Sequence, residues 1–226
     1  MAFELKNVVP WGRNLKEYKS MFKLTDADLN KQIISIGDGP ASFNYEMTRL
    51  SKSVVSLDPI YQFTESELTQ RIEETKDIVI EQMSKNKDNF IWTNYKDIEE
   101  LESVRLSAMN DFLKDFEIGK KEKRYVTHSM PEKTSFPDLT FELGLSSHFL
   151  VLYSQLGLEF HIPSINEMLR IAKEIRIFPL LNLDAKKSEL VDALIAYFQT
   201  DYIVKIEKVD YEFQKNGNEM LTIKRK

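Results

Sequence analysis

The segment Gly37-Asp38-Gly39-Pro40-Ala41-Ser42 is the first place in this sequence where residue types suggest chemistry. Glycines let a backbone approach a ligand closely, and a helix that begins after such a turn offers unpaired N–H groups to an anion. Nineteen residues beyond Gly39 stands Asp58, and a carboxylate at that spacing can accept both hydroxyl hydrogens of a ribose. Together they point to a ligand of nucleoside type. The alternative is a plain glycine turn and a solvated aspartate at a strand end.

The turn takes its meaning from the elements around it. Gln32-Ile33-Ile34-Ser35-Ile36 is a short β-branched run that stops at Gly37, as expected of a strand buried on both faces. Ser42 reads as an N-cap for a helix through Tyr45, Met47 and Leu50. Ser53 to Asp58 forms a second strand, closed by Pro59. A connection of this length makes the two strands parallel, with a right-handed crossover.

Before this unit, Leu15, Tyr18, Met21 and Phe22 share one helical face, and Thr25 reads as an N-cap before Asp26-Ala27-Asp28. These helices form a cap over residues 1–31. Residues 64–124 read as an inserted pair of long amphipathic helices, highly charged and with Gly119 as their one glycine. Phe90-Ile91-Trp92 between them reads as a short strand or a packed loop. Strands then follow at Tyr125–Thr127, Phe141–Leu145, Ile175–Phe178 and Tyr202–Ile206, with helices through Ile165–Ala172 and Leu190–Phe198. Lys215-Asn216-Gly217-Asn218 reads as a hairpin turn between Tyr211–Phe213 and Met220–Ile223. This alternation predicts a single α/β domain over 1–226, a three-layer sandwich with a mostly parallel sheet and a C-terminal antiparallel hairpin.

The turn fits a G-x-G-x-small pattern, and it resembles the cofactor loop of class I S-adenosylmethionine-dependent methyltransferases. Ser135-Phe136-Pro137-Asp138-Leu139-Thr140-Phe141-Glu142 is similar to that family's approach to its fourth strand, and Leu145 to Leu150 to that strand's end. Ile171 to Ile177 is similar to the helix and strand that follow. The opening Gly12-Arg13, Glu17-Tyr18 and Met21-Phe22 resembles a group of uncharacterised bacterial methyltransferase-like proteins. The resemblance runs from about Gln32 to the C-terminus and implies a Rossmann-like methyltransferase fold. It also implies S-adenosylmethionine as cofactor and transfer of a methyl group to a small-molecule acceptor.

By the same resemblance Gly37, Asp38 and Gly39 would pass beside the methionine part of the cofactor, and Asp58 would hold the ribose. Pro59 and Ile60 would flank the adenine, with Ser129 and Met130 at its edge. Ser146, Ser147 and His148 would line the face from which the methyl group leaves. Tyr18 would belong to a lid over the cofactor, with Arg13 available to its carboxylate. The chain departs from the family at Ser35, where the family carries an acid, and at Ser129, where it usually carries another.

A displacement on a sulfonium methyl mainly needs an aligned nucleophile, with a base for an alcohol or amine acceptor. His148 is the catalytic candidate: it follows a parallel strand at the ligand-binding end of the sheet, and imidazole titrates near neutrality. Tyr153 and His161 are candidate acceptor contacts, and His128 reads as structural. Two other functions compete: a cofactor- or nucleoside-binding module without turnover, and an NAD(P)-dependent oxidoreductase built on the same first unit.

Composition excludes other classes. Cys is 0, which removes disulfides, thiol nucleophiles and Cys-ligated metals, and no metal-binding motif is present. A net charge of −5 is a poor match to phosphate neutralisation, so no nucleic-acid partner is expected; Lys120-Lys121-Glu122-Lys123-Arg124 reads as a solvated helix end. No apolar run spans a bilayer and Met1–Lys6 has no secretory pattern, so the expectation is a cytoplasmic protein without membrane partners. Gly144-Leu145-Ser146-Ser147-His148 differs from a serine-hydrolase elbow in its fifth residue.

Overall fold

The computed structural model describes residues 11–226. The opening Met1–Lys6, and the cap expected over 1–31 as far as residue 10, lie outside the described residues.

The first unit follows the β-branched runs and glycine punctuation of the sequence. Strand β1 (Ile33–Ile36) leads through the glycine turn into helix α2 (Phe43–Arg49) and strand β2 (Val54–Leu57). β1 and β2 are parallel, with Ile33 opposite Val54 and Ile36 opposite Leu57. Ser42 occupies the N-cap position of α2, but its hydroxyl donates to Glu46 (2.6 Å) rather than capping a backbone N–H.

Two long helices follow, α3 (Glu65–Lys85) and α4 (Ile98–Lys121). Thr64 and Glu67 close a capping box at the start of α3, and Asp97 caps α4. Each helix buries one apolar stripe, Leu68, Ile72, Val79 and Met83 on α3 and Met109, Phe112 and Phe116 on α4. Between them a 3₁₀ turn (Lys87–Asn89) leads to Phe90, which makes a single bridge to Gln214, and Ile91 and Trp92 lie in a loop packed on Phe213.

The chain then alternates through β3 (Tyr125–Val126), β4 (Phe141–Ser147), α5 (Leu158–Ile171), β5 (Ala172–Phe178), α6 (Leu190–Phe198), β6 (Tyr202–Lys208) and β7 (Glu219–Arg225). The seven strands form one sheet in the order β3-β2-β1-β4-β5-β7-β6. β7 runs antiparallel to both of its neighbours, and the other strands are parallel. This is the mostly parallel sandwich with an antiparallel terminal hairpin that the sequence predicts. The hairpin's first arm is different: β7 pairs with β6 from Lys208↔Glu219 to Tyr202↔Arg225, and Tyr211–Phe213 is not a strand. Tyr211 and Phe213 instead bury their rings in the core beside Phe178 and Phe90.

Helix α1 (Leu15–Phe22) is opened by an Asn14–Glu17 capping box. After it Thr25 and Asp28 exchange hydrogen bonds around one short 3₁₀ turn, where the sequence suggested a second helix. The apolar face of α1 packs into the core; Tyr18 stacks on Phe43 with ring centroids 4.1 Å apart, and Phe22 meets Phe178. Its buried polar residue is Glu17, 5% exposed, paired at 2.5 Å with Arg105 of α4, which is fully buried. Tyr95 and Tyr211 donate their hydroxyls to the same carboxylate at 2.6 and 3.1 Å. Burial alone would push the Glu17 carboxyl up; the guanidinium groups of Arg105 and Arg13 overcome it and hold the carboxyl below its ordinary value.

Removing one partner of such a pair strands a buried charge, whereas removing both does not. Glu17→Gln should therefore cost about 3–5 kcal/mol in urea unfolding. The double variant Glu17→Gln/Arg105→Met should cost less than the sum of the two single variants. Because the Glu17 carboxyl is depressed in the folded state, this contribution is present above about pH 4.5 and should fade as the pH falls through the folded value.

Candidate functional site

The turn after β1 and the end of β2 meet at the carboxyl edge of the sheet, where open α/β folds bind ligands. Gly37 and Gly39 both have positive φ, 75° and 56°. A Cβ at Gly37 would lie 2.6 Å from Phe149, while one at Gly39 would meet nothing within 4 Å and would point into open space. The Gly39 N–H donates to Asp58 Oδ2 at 2.8 Å, and the Ile60 N–H donates to Oδ1 at 2.9 Å. One carboxylate thus clips the glycine turn to the segment after β2. Tyr61 adds a second clip, its hydroxyl donating to the Gly39 carbonyl at 2.9 Å.

Asp38 lies between the two glycines, with its carboxylate turned into the protein. It accepts from the hydroxyls of Tyr18 and Ser56, each at 2.6 Å, and from Ser35. Ser35 therefore stands in place of the acid expected there as a donor to a neighbouring acid. Burial raises the Asp38 carboxyl despite these three donors. Asp58 is pushed up to about 6, chiefly by burial, with the charge of Asp38 adding and its two backbone donors opposing.

The third wall comes from the end of β4. His148 adopts a left-handed backbone (φ 54°), which is rare for a residue with a side chain and is fixed here by its N–H donating to Phe178 O at 2.7 Å. Its Nδ1 lies 2.9 Å from Ser147 Oγ, and that hydroxyl is 3.8 Å from the Met21 sulfur. The Oγ–Nδ1 contact fits either tautomer: with the hydroxyl hydrogen on the thioether, Nδ1–H donates to Oγ and Nε2 presents a lone pair, and with the hydroxyl donating to Nδ1 the proton sits on Nε2. Nε2 has no protein partner among the described residues. Burial, then the charges of Arg13 and Arg105, hold the imidazole well below its ordinary value, which favours its neutral form and weakens it as a base.

These walls enclose a cavity of ≈ 1020 Å³. Of the residues singled out from the sequence, it brings together Tyr18, Gly37, Asp38, Gly39, Asp58, Pro59, Ile60, Ser129, Met130, Ser147, His148 and Tyr153. Ser146 is fully buried outside the lining, with its Oγ facing the Leu150 N–H. His161 is also outside it, on the first turn of α5, with Nδ1 2.6 Å from the Gly157 carbonyl. His128, read as structural, borders the cavity while its ring nitrogen meets the Glu132 carbonyl at 2.9 Å. Sequence reasoning missed Arg105, Phe178 and Tyr211, which also line it. Among the described residues no cluster of three or more His, Asp or Glu side chains is arranged for a metal ion, and no helix is long and apolar enough to cross a membrane.

A sheet ordered β3-β2-β1-β4-β5-β7-β6, with β7 alone reversed and a glycine turn after β1, has the class I methyltransferase fold. The chain is similar to a putative S-adenosyl-L-methionine-dependent methyltransferase of Methanococcus maripaludis (12% identity, 93% of this chain and 83% of that one, TM-score 0.42). It is also similar to a SAM-dependent methyltransferase of Aquifex aeolicus (13% identity, 92% and 90%, TM-score 0.40). No protein-family model matches the sequence. It is 36% identical over 223 residues to the uncharacterised protein MJ0045 of the archaeon Methanocaldococcus jannaschii, covering 98% of both chains, and it belongs to the same family.

The two glycines should respond differently to alanine. Each pays the left-handed backbone cost of about 1–2 kcal/mol. Gly37→Ala adds the overlap with Phe149, about 1–3 kcal/mol more for overpacking. Thermal melts should therefore place Gly37→Ala several degrees below Gly39→Ala, at roughly 2–4 °C per kcal/mol for a chain of this size.

Proposed function

We propose that this protein is an S-adenosylmethionine-dependent methyltransferase acting on a small-molecule acceptor. The observation that carries this reading is the Asp58 clip. A carboxylate at the end of β2 bonds the N–H of a glycine whose missing side chain leaves open space, and both face one cavity. Binding pockets for drug-sized ligands occupy about 300–1,000 Å³. A volume of ≈ 1020 Å³ is at the top of that range, enough for a nucleoside cofactor with room beside it.

The residues fit the group. Asp58 retains lone pairs beyond its two backbone donors and would accept the ribose hydroxyls. Ile60 and Met130 offer apolar surface to an adenine. Gly37 and Gly39 would let the methionine part pass along the backbone. The bound cofactor supplies an electrophilic methyl group on a sulfonium. His148 would accept the acceptor's proton at Nε2 in the tautomer whose Nδ1–H donates to Ser147, with Phe178 fixing the ring, whose centroid is 5.5 Å away. The antiparallel β7 between β5 and β6 supports this reading over a nicotinamide-dependent oxidoreductase, whose doubly wound sheet is mostly parallel throughout.

Isothermal titration with S-adenosylhomocysteine should show one saturable site, and NADH should give none. Asp58→Ala should weaken binding about 10- to 100-fold, as loss of hydrogen bonds to a charged group does. Ribose hydroxyls donate to the ionised carboxyl. Affinity should therefore be level above about pH 7 and fall as the pH drops through about 6, by up to about tenfold per unit, with the fall absent in Asp58→Ala. Absence of heat with S-adenosylhomocysteine would remove the proposal.

A further inference from the structure

The cavity has two ends, and the sheet sets them apart. Asp58 follows β2, the glycine turn follows β1, His148 follows β4, and Phe178 ends β5, opposite Ser147. These four strands are neighbours in the order β2-β1-β4-β5 and run parallel, so their carboxyl ends form one edge. Neighbouring strands lie about 4.8 Å apart, which puts the Asp58 clip and Phe178 about 14 Å from each other. His148 stands between them, with its ring centroid 5.5 Å from that of Phe178.

Helix α3 reaches from one end to the other. Leu68, near its start, packs in the cluster of Tyr61 and Ile60, beside the Asp58 clip. Val79 and Met83, near its finish, pack in the cluster of Phe90, Phe178, Tyr211 and Phe213. At 1.5 Å per residue, Leu68 and Met83 are about 22 Å apart along the helix. Both border the cavity. The inserted helix therefore lies along the cavity and encloses a second chamber beyond His148.

That chamber is lined by Val79, Met83, Phe90, Phe178, Tyr211 and Phe213, all buried. Phe90 and Phe213 stack with centroids 4.7 Å apart, and Phe178 meets Tyr211 edge-on at 5.9 Å. Such rings offer faces and edges to another flat ring. The charge nearest them is already answered: Arg105 donates to the Tyr211 hydroxyl at 3.3 Å and pairs with Glu17. The Arg13 backbone is anchored at the glycine turn instead, its carbonyl accepting the Ser42 N–H at 3.0 Å. An ion brought among these rings would lose its water without gaining a counter-charge.

We propose that this end of the cavity is the acceptor subsite and that it takes an uncharged aromatic molecule. Its ring lies among Phe90, Phe178 and Phe213, and its nucleophilic atom faces the methyl group beside His148. The assignment rests on the methyltransferase reading above and adds the acceptor's chemical class and the residues that select it.

The test is calorimetric titration at pH 7 of the whole protein saturated with S-adenosylhomocysteine. The probes are 2-naphthol and its charged counterpart 6-hydroxy-2-naphthoate. 2-Naphthol should bind at one saturable site, about tenfold or more tightly than the naphthoate. Val79→Trp, which fills the chamber, should weaken 2-naphthol about tenfold or more, with thermal melts reporting whether the variant is folded. The unaltered chain gives a second readout, by NMR of carbon-13 methionine methyls. Ring currents of 2-naphthol should shift the Met83 methyl and leave Met130, and S-adenosylhomocysteine should do the reverse; Met83→Leu and Met130→Leu assign the signals. No saturable binding of 2-naphthol, equal or tighter binding of the naphthoate, or unchanged affinity in a folded Val79→Trp would overturn the proposal. So would a naphthol shift at Met130 without one at Met83. S-adenosylhomocysteine is also titrated alone, so failure of the cofactor reading is seen apart from failure of the acceptor assignment.

Discussion

Burying an arginine completely is tolerable only where its charge is answered, and in this protein Glu17 answers Arg105 from another element. The contact ties α1 to α4 across 88 residues of sequence, and Tyr211 brings the segment before β7 into the same network. Three parts of the chain that share no strand pairing are thereby held together over the end of the sheet. Arg13 precedes α1 by two residues, and its carbonyl accepts the Ser42 N–H at the start of α2. Arg105 also donates to the Gly12 carbonyl at 3.3 Å, so the buried pair holds the backbone that leads into Arg13.

Two carboxylates near one glycine turn have opposite assignments. Asp38 faces inward and is saturated by three hydroxyls, which makes it part of the scaffold. Asp58 spends only two contacts on backbone N–H groups and keeps acceptor capacity toward the cavity. The Tyr18 hydroxyl that anchors Asp38 comes from α1, so the cap and the turn are one hydrogen-bonded unit.

Local pattern carried much of this arrangement. The β-branched runs at Ile33 and Val54, the glycines between them and the aspartate at 58 are neighbours in sequence, and their geometry follows from turn and strand rules. The hairpin's first arm is not legible in local pattern, because strand pairing is decided by distant partners: Tyr211 and Phe213 have β-forming residue types but satisfy the aromatic core instead. Ser146 and Ser147 illustrate another limit. Adjacent strand residues point to opposite faces, and which serine faces the cavity depends on sheet register. Arg105 stands among many charged residues on α4, and nothing in its local spacing separates it from those exposed to solvent.

The reversal of β7 has a consequence for synthesis of the chain. β6 leaves the ribosome before β7, yet β7 lies between β6 and the remainder of the sheet. Until the later segment emerges and inserts, β6 has no neighbour with which to pair, and β5 presents a bare edge. The nascent protein must therefore hold two incomplete strand edges apart from foreign partners, and the sheet closes only after elongation has passed its last strand.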